Sequence, residues 1–204
     1  MEIWLIRHGT TTANQEGRFQ GRLDYPLSDQ GRCEADLLSR RLKNVGLEFL
    51  YSSDLKRAWE TAQIIAAATG LRPVSSPLLR ECSWGAAEGL TQAEIHSYLL
   101  PPFFYAGRDR LKASFWGGES ERKLMSRAGY FLKRVDIECN GFSRVAVVSH
   151  GRLINALLAA AFGLKARRRW PFSPSPASLS LIIRRAGESS YRLELFNDRC
   201  HLNM

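Results

Sequence analysis

Two stretches of this chain share one uncommon design. "WLIRHG" (residues 4 to 9) and "AVVSHG" (residues 146 to 151) are each an apolar run of strand length, then one polar residue, then His-Gly. An apolar strand that stops at a histidine restricts the fold. The ends of parallel strands gather along one edge of an open α/β sheet, and ligands bind there. His8 and His150 lie about 140 residues apart in sequence, yet such a sheet can make them neighbours. The glycine after each lets the backbone turn and approach a ligand closely. A helix that follows presents its N-terminal N–H groups to the same edge, where they attract anions.

The rest of the chain fits an α/β layer fold, because apolar runs of strand length alternate with helical patterns. Ile3–Ile6 is the first strand. A helix opens at Leu27-Ser28-Asp29, capped by Ser28 or Asp29, with Ala35, Leu38 and Leu42 on its apolar side. Phe49–Ser52 is a second strand. Ser53 is placed to cap a helix from Asp54 to about Ala68, with Ala58, Ala62, Ile65 and Ala66 as its buried stripe and Gly70 as its stop. A later helix carries Leu124, Ala128, Phe131, Leu132 and Val135 on one face. Val145–Ser149 is a strand, followed by a helix from about Gly151 that Gly163 ends. Leu179–Arg184 and Tyr191–Phe196 read as a closing antiparallel pair. The expected fold is a three-layer α/β/α sandwich with a mostly parallel central sheet. It forms one domain over residues 1–204, with residues 83–118 as a lid-like insertion over the active-site edge. That insertion holds Pro101-Pro102 and the aromatics Phe103, Phe104 and Tyr105.

A third element converges on the strand ends. In "YSSDLKRAWETA" (residues 51 to 62), Arg57 falls in the first turns of a helix, where the dipole disfavours a cation. An anion held between Arg7 and Arg57 accounts for both arginines, since guanidinium forks bind phosphate oxygens in paired, charge-assisted bonds. The formal net charge of +9, from 29 Lys+Arg against 20 Asp+Glu, favours anionic partners in general. The excess arginine is scattered along the chain, so nucleic acid is not expected. The basic run "LKARRRW" (residues 164 to 170) reads as a solvated loop. Cys33, Cys82, Cys139 and Cys200 contain no C-x-x-C pair, so neither a zinc nor a redox motif is visible. No segment approaches the roughly 20 apolar residues of a membrane span, and the N-terminal apolar run is too short for a signal-peptide core. A cytoplasmic protein is expected.

The ordered motifs "RHGTTTAN", "GRLDYPLSDQG", "YSSDLKRAWETA", "LLRECSWGAAEGLT", "GGES" and "VVSHG" resemble those of the histidine phosphatase superfamily, the phosphoglycerate mutase-like enzymes with an Arg-His-Gly signature. The resemblance runs from residue 3 to about 155, and the C-terminal "FNDRCHL" is similar to that of its small phosphatases. It implies phosphoryl transfer through a phosphohistidine, with His8 as nucleophile and Arg7, Arg57 and His150 as the phosphate pocket. It implies that Asn14 donates its amide to a phosphate oxygen and that Glu81 is the proton donor, with Glu88 as a rival in a more structural turn. No metal or other cofactor is expected, because the cations serve in its place. Departures from the family pattern touch substrate preference. Thr10 stands where glutamate is common, Ala87 where tryptophan is usual, Arg152 where a small residue is frequent and Asn155 where arginine often occurs. The resemblance favours a phosphatase over a mutase and, by compact length, "GGES" and the C-terminal motif, α-ribazole 5′-phosphate as substrate. The aromatics of the insertion would then stack on a flat base. Broad-specificity sugar or acid phosphatases have similar motifs. A non-catalytic phospho-ligand or nucleic-acid binder is the alternative of another class. A homodimer is compatible with the resemblance.

Overall fold

A computed structural model describes residues 1–97, 113–165, 171–185, 187–188 and 190–203. The elements in chain order are β1 (Glu2–Arg7), α1 (Thr12–Gln15), α2 (Asp29–Leu42), β2 (Phe49–Ser52), α3 (Lys56–Thr69), β3 (Pro73–Ser75), α4 (Gln92–Ser97), α5 (Glu121–Glu138), β4 (Arg144–Ser149), α6 (Gly151–Ala161), β5 (Leu179–Ile183) and β6 (Arg192–Asp198). They build one sheet in the order β3-β2-β4-β1-β5-β6. The first four strands of that order are parallel, and β5 and β6 close it antiparallel. The expected α/β/α architecture and the closing antiparallel pair are both present.

The inner strands read as unbroken apolar runs because both sheet faces are covered. Ile3, Leu5, Val145 and Val147 face α5 and α6, packing with Leu124, Phe131, Val135, Leu153 and Leu157. Ile6, Leu50, Ala146 and Val148 face α2 and α3, packing with Leu38, Leu42, Ala58, Ala62 and Ile65. The two-residue period of a strand divides these side chains between the layers. The buried faces of the helices match the predicted stripes, except that Ala66 is half-buried. Within the predicted insertion, Trp84, Ala87, Ile95 and Ala113 are buried in the α5–α6 core. Pro101, Pro102, Phe103, Phe104 and Tyr105 lie outside the described residues, as do residues 166–170 of the basic run.

The connection leaving β1 leads to α2 on one face, and the one leaving β4 leads to α6 on the other. A crevice therefore opens between the carboxyl ends of these adjacent strands. Arg7 pairs with Ser149 at the last position of that ladder, which sets His8 beside His150.

One local expectation is corrected. Ser53 does not cap α3, whose N-cap is Leu55 with no side-chain cap bond. Its hydroxyl is used elsewhere, as described below. Helix α6 runs to Ala161 with Phe162 as its C-cap, and Gly163 stops it as expected, with a left-handed φ of 64° and its amide donating to the Ala160 carbonyl at 3.2 Å. At α2 Ser28 is the cap, its hydroxyl accepting from the Gly31 amide at 3.1 Å. This helix start lies directly against the loop after β1. A Cβ at Gly9 would stand 2.4 Å from the Gly31 carbonyl oxygen, and one at Gly31 would stand 1.9 Å from that of Thr10. Gly9 is needed for this close approach and not for a left-handed turn.

Candidate active site

The crevice is a cavity of about 270 Å³ whose wall includes Arg7, His8, Asn14, Arg57 and Glu81. Five of the six residues expected to form the site thus meet in one place. His150 lies behind the wall, its ring centroid 5.1 Å from that of His8.

His8 is 2% exposed and its Nδ1 lies 2.7 Å from the Gly9 carbonyl oxygen. A carbonyl can only accept, so Nδ1 carries the proton and Nε2 keeps its lone pair. Burial holds the His8 pKa well below the usual histidine value, and the Arg57 and Arg7 charges lower it further. The imidazole is neutral at physiological pH, the form in which it is a nucleophile.

His150 is fully buried, and both its ring nitrogens are engaged. Arg57 Nε donates to Nδ1 at 3.1 Å, which leaves the ring proton on Nε2 to donate to Ser53 Oγ at 2.8 Å. Burial, then the charge of Arg57, lowers its pKa well below the ordinary value. The expected donation from His150 to a phosphate has no free N–H in this arrangement. The ring instead orients Arg57. Ser53 Oγ also accepts from the Leu55 amide at 3.3 Å, so it stays beside the start of α3 without capping it.

Arg57 is 1% exposed, and its two terminal nitrogens donate to the carbonyls of Leu23 and Gly21 at 2.8 Å each. Burial pushes its pKa down to about 10, so it remains a cation at neutral pH. Arg7 donates through Nη1 to the Pro174 carbonyl at 2.7 Å. Its Nε is buried without a partner among the described residues. A buried charged donor left unpaired is costly, and an incoming anion would satisfy it.

Asn14 caps α1 in reverse. Its carboxamide oxygen accepts from the Thr11 amide and hydroxyl at 3.1 and 3.0 Å, which orients the amide on the cavity wall. The Asx geometry and a ligand role are therefore compatible. The half-buried Glu81 carboxylate accepts from the Cys82 amide at 2.8 Å and from the Arg152 amide, in the first turn of α6, at 3.3 Å. The rival Glu88 holds a loop junction. Its Oε1 accepts from Ser83 Oγ and from the amides of Trp84 and Arg22, all within 3.1 Å.

Three contributors escape sequence reasoning. Glu34 of α2 is buried and accepts from the Thr10 amide at 2.9 Å and hydroxyl at 3.0 Å. A carboxylate thus reaches the position after His-Gly from another element, where the family usually supplies one in sequence. Gln20 lines the cavity with a buried Oε1 that has no partner among the described residues. Ser53 orients His150. None of them carried a local signal.

Neutral, buried histidines make acid destabilising. His8 and His150 have folded pKa values below the unfolded value near 6.5, so the unfolded chain binds their protons first. Stability is complete above about pH 6.5 and falls below it by about 1.4 kcal/mol per pH unit for each histidine. The lowered His201 adds in the same direction. Denaturant unfolding at pH 7.5 and 5.5 is expected to give a lower midpoint at 5.5. An unchanged midpoint would contradict the neutral pair.

A doubly covered α/β sheet that ends in a neutral imidazole, on a cavity wall shared with the guanidinium groups of Arg7 and Arg57, defines an enzyme of phosphate chemistry. The chain belongs to the histidine phosphatase superfamily (branch 1), whose family model matches residues 3–199. It is 41% identical over 160 residues to phosphoglycerate mutase-like protein 4 of Arabidopsis thaliana, covering 76% of this chain and 69% of that one. It is 32% identical over 202 residues to phosphoserine phosphatase 1 of Hydrogenobacter thermophilus, covering 99% and 94%. The crystal structure of the α-ribazole phosphatase from Shigella flexneri superposes with a TM-score of 0.85 at 26% identity, covering 98% of this chain and 97% of that one. The chain is a phosphoric monoester hydrolase acting on small phosphorylated substrates. No described helix is long and apolar enough to cross a membrane. No group of three or more His, Cys, Asp or Glu among the described residues could hold a metal ion.

Proposed function

We propose that the chain is a metal-independent phosphomonoesterase working through a phosphohistidine on His8. The observation that carries this is the Nδ1–H to Gly9 carbonyl bond, which leaves Nε2 unprotonated in a cavity lined by Arg7 and Arg57. Nε2 attacks phosphorus, the P–O ester bond breaks, and Glu81 protonates the departing oxygen. A water then attacks the phosphohistidine, giving a proton to the Glu81 carboxylate, and orthophosphate leaves. Arg7, Arg57 and Asn14 hold the equatorial oxygens, the positive charge replacing that of a metal. Hydrolysis of p-nitrophenyl phosphate in EDTA, with acid-labile phosphate trapped on the protein, is the expected result. A strict metal requirement would overturn the reading.

For the substrate, the likeness to α-ribazole phosphatase supports α-ribazole 5′-phosphate, and Phe19, Trp84 and Phe172 offer aromatic wall to a base. One observation favours a second reading, a phosphorylated acid. Arg152 lines the cavity from the first turn of α6, where the helix dipole disfavours a cation. Its guanidinium stacks 4.7 Å over Trp84, and its Nε is buried without a partner among the described residues. Arg18 lines the same wall but is already paired with Glu16 and Glu94. A carboxylate on the substrate would engage Arg152, whose own acidic partner Glu121 is held only at 3.5 Å. Arg152→Gln is expected to lower kcat/KM for phosphoserine about 10- to 100-fold, the loss of one charged hydrogen bond, and far less for phosphoethanolamine. Equal kcat/KM for both esters in the unaltered enzyme would instead favour the nucleotide-like substrate.

A further inference from the structure

Among the described residues, two that are not glycine have a left-handed backbone, Ala177 with φ 52° and Asn197 with φ 53°. Side chains disfavour this conformation, and it persists where surrounding structure demands it. Ala177 belongs to the 174–178 segment that bonds Arg7 and His8, and Asn197 bonds that segment at Ser175. The Ala177 amide donates to the His8 carbonyl at 3.0 Å, and the Arg7 amide donates to the Ser178 carbonyl at 3.1 Å. The Arg7 guanidinium donates to the Pro174 carbonyl at 2.7 Å.

Within Pro174-Ser175-Pro176, only Ser175 has a backbone N–H, since proline has none. That amide donates to Asn197 Oδ1 at 2.6 Å. Asn197 lies in a register shift of β6 against β5, where three steps of β6 oppose two of β5. Its own amide leaves the ladder and donates to the buried Ser180 hydroxyl at 3.2 Å. The next residue, Asp198, is tied to Arg41 of α2 by an ion pair. The bulge is thus fixed on both sides, and it aims one carboxamide at the single amide between two prolines.

We propose that Asn197 is a positioning residue for Arg7, acting through the Pro174–Ser175 peptide. That peptide's carbonyl carbon and oxygen belong to Pro174 and its nitrogen to Ser175. Anchoring the N–H at Asn197 therefore sets the direction of the carbonyl that Arg7 grips. The Arg7 Nε stays directed at the anion, and the enzyme needs no loop rearrangement to bind phosphate. This rests on the reading of Arg7 as a phosphate ligand.

The test compares Asn197→Gly with Asn197→Asp. Glycine adopts the left-handed backbone freely but removes the acceptor, whereas aspartate keeps the acceptor. Orthophosphate binding is measured by calorimetry, alongside p-nitrophenyl phosphate kinetics. Asn197→Gly is expected to weaken orthophosphate binding about tenfold and to raise KM more than it lowers kcat. Its melting temperature should stay close to that of the unaltered protein, and Asn197→Asp should recover binding to within about threefold. Should Asn197→Gly fail to fold, Asn197→Ser carries the same comparison, because its hydroxyl is too short to reach the Ser175 amide. Unchanged phosphate affinity without the acceptor would overturn the proposal. So would a loss that follows the melting temperature and is not recovered by aspartate. If the unaltered protein neither binds orthophosphate nor turns over, the phosphate-site reading itself fails.

Discussion

Replacing His8 with alanine is expected to lower kcat for every phosphate ester by about 10³-fold or more, because no second imidazole lies on the cavity wall among the described residues. The neighbouring imidazole offers no substitute. His150 is off the wall, with one nitrogen bonded by Arg57 and the other bonded to Ser53. Phosphate affinity should survive, since Arg7 and Arg57 remain, and removal of a ring relieves crowding around an incoming anion. The variant should therefore bind substrate without converting it, and acid-labile phosphate on the protein should vanish. The measurement is rapid-quench trapping of the phosphoenzyme beside steady-state turnover. A variant that still accumulated phosphoenzyme would place the nucleophile elsewhere.

Glu81→Gln should separate the two halves of the reaction. With an alkyl phosphate the leaving oxygen needs a proton, so turnover should fall about 10²- to 10⁴-fold. With p-nitrophenyl phosphate the leaving group departs without one, and phosphorylation of His8 should stay fast. Attack of water on the phosphohistidine still needs a base, which glutamine cannot supply. A stopped-flow trace should then show a burst of nitrophenolate near one equivalent, followed by slow release. Glutamine keeps one acceptor oxygen for the 2.8 Å bond from the Cys82 amide and gives up only the longer 3.3 Å bond from the Arg152 amide, so the loop should hold its place. Equal losses on both esters without a burst would point to a structural role for Glu81.

Much of this site was legible because its chemistry is local to strand ends. His8 and His150 each break an apolar run, and Arg57 sits at the end of a helix that repels it. Such departures from local preference mark places where function overrides folding. The central strands were legible because burial on both faces leaves unbroken apolar runs. β3 was not, since three residues with an exposed Val74 give no period to read. Glu34, Ser53 and Asn197 were hidden for another reason. Each acts through a side chain that reaches a distant partner, across 24, 97 and 22 residues respectively. Nothing in the sequence beside them reports that reach. Ser53 was misread as a helix cap because hydroxyl side chains serve both purposes and local sequence favours the nearer one.

The contact between Gly9 and Gly31 gives the start of α2 an unusual status. Glycine inside a helix costs about 0.5 to 1 kcal/mol relative to alanine, so propensity alone would replace Gly31. It cannot be replaced without driving apart the peptides that carry Thr10 and, one step earlier, the carbonyl that fixes the His8 proton. Positions 9 and 31 therefore act as one packing unit, split between a loop and a helix. Neither position tolerates a side chain, and helix α2 keeps a weaker first turn as the price of a fixed His8 tautomer.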